Sequence, residues 1–530
     1  MYRIYLMTVA KHRIVWYNVN DVSKYRSEDS IMLSKSKYCA FVQCPRNLWL
    51  KTYKPELATP DNSLDARMEA GNEIGDLAMR LFGDFVEVTA HKGNGRMDLS
   101  EMISRTNELL NRACPVICEA SFSYNGNYCA VDILKREKDG YAIYEVKSST
   151  HANRIYATDI AYQKYVLEHC GVNVTGTYLV CINNDYVFDG TLKLDELFRI
   201  VDLSVEVAEE YEHVEGNIAA ANNIMNDPVE PLCGLSENCR KPYHCAFWEH
   251  CSSHLPKPSV FDLYGTGFHF KKKLKYYKNG ICTFEELSAD AEVMKTRIQS
   301  MQISHEIRDL ETHIDKKGIK EFLDTLWYPL YFLDFETMQL PIPKFVGTKP
   351  YAQIPFQYSL HYIESEGGEL KHKEFLGVSG EDPRRAIAER LCEDIPKDAC
   401  VVIYNKAFEP ARFRELAEYF PDLSEHLLAI RENIRDLLDP FRKGYYYNRA
   451  MGGSFSIKVV LPALFPDDPT LDYHNLEGIH NGGEAMEIFP KIKDMPPEEQ
   501  ATVRKNLLKY CELDTYATVK VWEELVRVTK

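Results

Sequence analysis

The stretch YCAVDILKREKDGYAIYEVKSS, residues 128–149, places Asp132 within one apolar run and Glu145 and Lys147 at the end of the next. The Lys-Asp-Gly sequence at 138–140 marks a tight turn, so the two runs read as a hairpin of β-strands. Side chains two apart on a strand face the same way, which brings Glu145 and Lys147 to one spot, and Asp132 on the neighbouring strand reaches it. Two carboxylates that hold a divalent ion, with an ammonium that positions or helps deprotonate a water, form a set suited to metal-assisted hydrolysis of phosphate esters. Taken alone, a Glu-x-Lys in a strand is a surface ion pair. Here it ends an apolar strand (Ile143, Tyr144, Val146), follows an aspartate strand and precedes a helix with Gln163 and Tyr165.

Outward from this hairpin, LSKSKYCAFVQCPRNLWLKTY (33–53) reads as a helix entered from Ser34, and ARMEAGNEIGDLAMRLF (66–82) as a second. PVICEASFSY (115–124) adds a strand ahead of the hairpin, joined to it by an Asn-Gly-Asn turn. TDIAYQKYVLEHCG (158–171) reads as a helix and TGTYLVCIN (175–183) as a further strand. Together these predict an α/β unit with a mostly buried sheet.

In this order the chain resembles the RecB/AddB-like, CRISPR-associated exonuclease-like branch of the PD-(D/E)xK nucleases. There an early Glu or His on a helix, an Asp, a Glu-x-Lys and a Gln-bearing helix follow one another. The resemblance implies a restriction-endonuclease-like core using Mg2+ or Mn2+, with Asp132 and Glu145 as ion ligands and catalytic acids, and Lys147 and Gln163 as further catalytic residues. It puts Glu73, within GNEIGD, at the early ligand position, with Glu119 as a further candidate acid. The competing reading of Glu73 is a solvated helical glutamate.

Cys233, Cys239, Cys245 and Cys251 recur every six residues in PLCGLSENCRKPYHCAFWEHC (231–251). Free cysteines are ordinarily small buried hydrophobes, but four at this density beside Pro, Gly and His suit zinc or iron-sulfur ligation better. The spacing lacks the C-x2-C pairs typical of structural zinc. The nuclease resemblance implies a [4Fe-4S] cluster held by one cysteine before the core, Cys44, and three after it, Cys239, Cys245 and Cys251. The relatives' trio is often more tightly spaced and Cys233 is then surplus, so a local site of four cysteines holding Zn2+ stays open as the alternative.

A second pattern begins at FLDFET (332–337), where Asp334 and Glu336 share a face of an apolar strand. VVIYNKAFEPARF (401–413), IRDLLDPF (434–441) and YCELDTYAT (510–518) follow. This order resembles the DEDD superfamily of 3'-5' exonucleases, built on an RNase H-like fold, with motifs Asp-x-Glu, Asn-x-x-(Phe/Tyr)-Asp and Tyr-x-x-x-Asp. By that resemblance Asp334, Glu336 and Asp514 are metal ligands, Tyr510 orients the attacking water, and Glu409 stands where the family has aspartate. Tyr510 and Asp514, four apart, share a helix face. Asp436 is a candidate additional carboxylate against a structural reading. The stretch YYYNRAMGGSFSIKVVLPALFP (445–466), with Arg449 and Lys458, suits either stacking on a single strand or a packed aromatic loop. Both halves together resemble an uncharacterised bacterial family, a domain of unknown function, that fuses these modules from Met32 onward.

A chain of 530 residues exceeds the roughly 250–300 at which single cores stop growing. The reading is an uncertain extension over 1–31, the nuclease unit over 32–255, a helical connector over 256–325 containing KKKLKYYKNG, and the exonuclease-like domain over 326–530. Hydrophobic residues at 45% and charged residues at 27% describe folded α/β protein. A net charge of −16 offers no global attraction for nucleic acid, so binding must use local cations and metal ions. No apolar run is long enough to span a bilayer, the first residues lack a cleavage site, and fifteen cysteines fit free thiols and metal ligands. These point to a cytoplasmic protein with no membrane partner. The expected partner is nucleic acid, DNA with single-stranded ends, with RNA as the alternative substrate and a catalytically lapsed binding scaffold as the alternative class.

Overall fold

The Ser34 hydroxyl accepts the N–H of Lys37 at 3.3 Å and caps helix α1 (Lys35–Gln43), directly after the short strand β1 (Leu33–Ser34). Pro45 disfavours helical backbone at the residue before it. Cys44 is accordingly extended, at φ −166° and ψ 127°, and separates α1 from helix α2 (Pro45–Tyr53). The helix expected over 33–53 is therefore two, with Cys44 at the break.

The computed structural model describes residues 32–60, 64–265 and 267–530, and the candidate extension over 1–31 lies outside them. The chain is mixed α/β and divides into two compact units. The first holds Gly71–Asn183 and Lys193–Cys251 with the described residues before 61; the second holds Ser252–Lys530, Asn184–Leu192 and the described part of Asn62–Ala70. Helix α3 (Leu64–Ala78) carries Glu73. Among the described residues, no helix is long and apolar enough to cross a membrane.

In the first unit, helix α4 (Leu99–Asn111) leads into strand β3 (Val116–Tyr124), which pairs antiparallel with β4 (Asn127–Arg136). Asn125 and Gly126 between them both take left-handed φ values, 47° and 78°, as a two-residue hairpin turn requires. Strand β5 (Tyr141–Lys147) runs antiparallel to β4 and parallel to β6 (Val174–Ile182), with helix α5 (Ile155–His169) crossing between β5 and β6. The short strand β2 (Val86–Glu87) and strand β7 (Phe198–Asp202) complete the sheet in the order β2-β3-β4-β5-β6-β7, and β1 adds to β4. Ala157, Ile160 and Ala161 of α5 bury against Val131, Ile143 and Leu179 of the sheet. Helix α6 (Ser204–Asn226) adds Val207, Val214 and Ala221 to the same core.

The second unit begins with the connector. Val260, Leu263, Phe284, Leu287 and Ile303 make a small core of their own, the last from helix α7 (Arg297–Arg308). Strand β8 (His313–Ile314) and helix α8 (Lys316–Leu323) follow, and β8 pairs with β14 (Tyr446–Tyr447) farther along. The main sheet has the order β11-β10-β9-β12-β13. Strands β9 (Leu330–Gln339), β10 (Gln353–Ile363) and β11 (Lys371–Leu376) are antiparallel neighbours. Strand β12 (Cys400–Ile403) is parallel to β9, and β13 (Ile434–Asp436) is parallel to β12.

Alternation along β9 decides where its acids go. Tyr331, Leu333 and Phe335 enter one core with helices α9 (Arg384–Asp394), α10 (Glu409–Tyr419) and α11 (Ser424–Glu432). Leu330, Phe332 and Met338 enter the other, where they meet helix α12 (Ile457–Leu464) and the C-terminal helix α13 (Pro497–Thr529). Asp334 and Glu336 have the parity of this second face, so they lie under α13.

Candidate active sites

The β4–β5 ladder pairs Ile133 with Tyr144, and there the two strands part. Instead of continuing the ladder, the Val146 N–H donates to Asp132 Oδ2 at 2.6 Å. Glu145, fully buried, accepts from Lys147 Nζ (2.6 Å) and Lys35 Nζ (2.8 Å) on Oε1 and from Gln163 Nε2 (2.6 Å) on Oε2. Lys147 Nζ also lies 3.1 Å from Asp159 Oδ2. The structure thus brings Asp132, Glu145, Lys147 and Gln163 into one cluster, and adds Lys35 and Asp159.

Burial opposes charge on Glu145, but Lys147 and Lys35 outweigh it and hold the carboxyl down at about 2. Asp132 is pushed up to about 6 by burial and then by the Glu145 charge. Burial likewise disfavours the Lys147 ammonium, and Glu145 and Asp159 more than offset it, so Lys147 stays cationic. Glu119 stands across from Asp132 in the β3–β4 register, with an unusual left-handed φ of 55°. Burial and Asp132 push its carboxyl up to about 7. Glu73 is exposed on α3 and, among the described residues, takes no part in these hydrogen bonds. Buried Gln163 Oε1 has no hydrogen-bond partner among the described residues, which leaves an acceptor beside the carboxylates for a cation or a water. The set fits a divalent ion held by Asp132, Glu145 and Glu119.

Cys44, placed by the break between α1 and α2, lines one small cavity together with Cys233, Cys239, Cys245 and Cys251. Both cysteine sets considered from sequence therefore converge on the same place. The Ser236 N–H points to Cys239 Sγ at 3.4 Å, and the backbone N–H groups of Arg46 and Phe247 bond to Cys233 and Cys245. Such N–H donors stabilise thiolate, the form that binds metal. Arg46 is held by Glu230, whose carboxyl is kept at about 2, against burial, by Arg46, His250 and Lys54. The five sulfurs fit a soft metal or an iron-sulfur cluster.

In the second unit Asp334, Glu336 and Asp514 each offer a carboxylate oxygen, and these oxygens all lie within 4.8 Å of one another. Helix α13 supplies Asp514 and, one turn before it, Tyr510. Tyr473 donates its hydroxyl to Asp514 Oδ1 at 2.6 Å, and Lys458 Nζ reaches Tyr510 Oη at 3.4 Å. Gly482 lies so close that a Cβ there would stand 3.1 Å from Glu336 Oε2. Asp334 is pushed well above the usual carboxylate range by burial, Asp514 and Glu336. Glu336 is pushed up to about 8 by burial and Asp514, with Lys458 opposing. Asp514 is also raised by burial, against its bonds from Tyr473 and Tyr510. Four acids with one lysine beside them fit a divalent cation.

Glu409 opens α10 and is buried, and its Oε2 has no hydrogen-bond partner among the described residues. Burial raises it to about 7, with Asp436 adding to the effect. Its charge bears on both Asp334 and Glu336. Asp436 is occupied otherwise: it accepts the N–H groups of Asn405 (2.9 Å) and Leu438 (3.0 Å) and pairs with Arg442 at 3.2 Å. This is the structural role. Of the aromatic stretch, Tyr446 and Tyr447 pack in the core and Arg449 pairs with Asp309, whereas Lys458 belongs to the acidic site.

The raised acids give a stability prediction. In chelator, a carboxyl whose folded value lies near 8 and whose ordinary value is 4.5 loses folded-state stability as pH rises through that window. Glu336→Gln is expected to melt a few degrees above the wild type at pH 8–9, with the difference closing near pH 4, as read by thermal melts in EDTA. A wild type as stable as the variant at high pH contradicts the repulsion.

No curated protein matches the chain. Residues 331–456, which carry Asp334, Glu336 and Glu409 but stop before Tyr510 and Asp514, match a family described as Domain of unknown function (DUF2779).

Proposed function

We propose that the protein is a metal-dependent nuclease with two catalytic centres, a PD-(D/E)xK centre on a restriction-endonuclease-like core and a DEDD-type centre on an RNase H-like domain. The observation that carries the reading is the convergence of Asp334, Glu336 and Asp514, from a strand and a helix far apart in sequence, to within 4.8 Å. The Glu145 cluster supports a second centre independently. A divalent ion bound at either site supplies charge neutralisation at the scissile phosphate and acidifies the attacking water. In the first centre Lys147, kept charged by Glu145 and Asp159, stands ready to orient that water. In the second the Tyr510 hydroxyl, beside Lys458 and Asp514, takes this part.

DNA with single-stranded ends is the proposed substrate, and RNA is the rival. Full-length protein is to be incubated with end-labelled single-stranded and duplex DNA and RNA, with Mg2+ or Mn2+ and with EDTA. Cleavage of DNA in metal and none in EDTA is expected; RNA cleaved in preference to DNA reassigns the substrate.

The cysteine cavity is proposed to hold a [4Fe-4S] cluster on Cys44, Cys239, Cys245 and Cys251, a staple between the two ends of the first unit, with Cys233 as the alternative ligand. Anaerobically purified protein is expected to be brown and to contain iron and sulfide, and Cys44→Ser to lose both. Colourless protein holding one zinc, retained in Cys44→Ser, assigns the site to the four local cysteines instead.

A further inference from the structure

His361 on β10 and His372 on β11 are directly opposed cross-strand partners, with ring centroids 4.5 Å apart. Glu512 of α13 faces them, and a ligand atom of each of the three lies within 4.8 Å of the others. We propose that His361, His372 and Glu512 form a binding site for a Zn2+-class transition-metal ion, separate from the carboxylate site and independent of the nuclease reading.

The hydrogen bonds behind the rings favour this. Thr515 Oγ1 lies 3.1 Å from the Glu512 carbonyl, the usual acceptor for a threonine hydroxyl within a helix. Having given its proton there, it accepts from His361 Nδ1 at 2.8 Å and from Ser359 Oγ at 2.7 Å. Ser359 in turn accepts from His372 Nε2 at 2.9 Å. This relay uses every proton and leaves one bare nitrogen on each ring, the state in which imidazole binds metal. His361 is also kept neutral by burial and by His372, which hold it down at about 4. Glu374, two residues along β11 from His372, feels both His372 and Glu512 and is a reserve oxygen donor. Two imidazoles and a carboxylate match Zn2+, whereas the all-carboxylate group nearby matches Mg2+ or Mn2+. Zinc bonds of about 2.0–2.2 Å need the ligand atoms to draw in only slightly.

Glu512 lies between Tyr510 and Asp514 in sequence, so the site clamps the helix that carries both to strands β10 and β11. Occupancy therefore fixes the backbone of α13 next to the carboxylate site.

The test compares zinc bound per chain after equilibrium dialysis, and the thermal melt with and without Zn2+, in full-length wild type, His372→Ala, Glu512→Gln and Asp334→Asn/Asp514→Asn. Glu512 is exposed, so its variant keeps the fold. The first two variants are expected to hold one zinc fewer than the wild type and to lose the zinc-induced rise in Tm, with affinity down by more than about 100-fold. The double variant at the carboxylate site keeps that zinc. Co2+ in place of zinc should give a visible spectrum in the wild type that His372→Ala lacks. Equal zinc content and an equal rise in Tm in wild type, His372→Ala and Glu512→Gln overturn the proposal.

Discussion

Lys147→Ala is expected to lower cleavage by the first centre on the order of 10²–10³-fold while leaving any trimming from 3' ends intact. Lys147 shares Glu145 with Lys35, so its removal leaves the buried carboxylate still paired and the fold in place. Glu145→Gln is the harsher change, because it strips two part-buried lysines of their common partner, and a drop in Tm accompanies the lost activity. Activity is read as internal cuts in a long single-stranded substrate with Mg2+ or Mn2+. If Lys147→Ala cuts as fast as the wild type, the ammonium does not serve the reaction and the Glu145 cluster is a structural ion-pair network.

Asp334→Ala is expected to abolish 3'-end trimming, by a factor of about 10³ or more, and to leave internal cutting unchanged. The loss comes through ion binding, since Asp334 is one of three carboxylates that converge on one point. Metal-free protein should tolerate the change well, because Asp334 is held above its ordinary range by burial and by Asp514, and its removal relieves that repulsion. An unaltered melt in EDTA with lost trimming separates this outcome from misfolding. Glu409→Asp adds a finer comparison: a gain in trimming shows that acid length limits this domain. If Asp334→Ala leaves every activity on all four substrates untouched, the second unit is better described as a strand-binding module.

Strict alternation made β9 readable from FLDFET, because period 2 sends Asp334 and Glu336 to the face opposite Leu333 and Phe335. The hairpin at 128–149 was readable for the same reason, with its Asn-Gly and Asp-Gly turns as punctuation. Lys35 escaped because its tie to Glu145 spans 110 positions, and nothing local in LSKSK distinguishes it from its neighbour Lys37. Asp159 left a usable trace, four residues before Gln163 on one helix face. Tyr473 left none, since it comes from an irregular segment 41 positions from Asp514. The split of the first helix at Cys44 was written in the proline that follows it. The connector's packing was not readable, because its link to the rest of the unit runs through two-residue strands, β8 with β14. The facing of His361 and His372 depends on a bulge between Pro355 and Gln357 that shifts the register of β10, and no residue pattern announces it.

The most direct test follows the products of one end-labelled single-stranded DNA, in Mg2+ and in Mn2+, with wild type, Lys147→Ala, Asp334→Ala and the protein carrying both changes. Two separable product patterns in the wild type are predicted, internal cuts and stepwise 3' trimming, with each single variant keeping one and the double variant keeping neither. A double variant that degrades DNA like the wild type, or a wild type inert in both metals on this strand and on its duplex and RNA counterparts, contradicts the assignment of two nuclease centres to this chain.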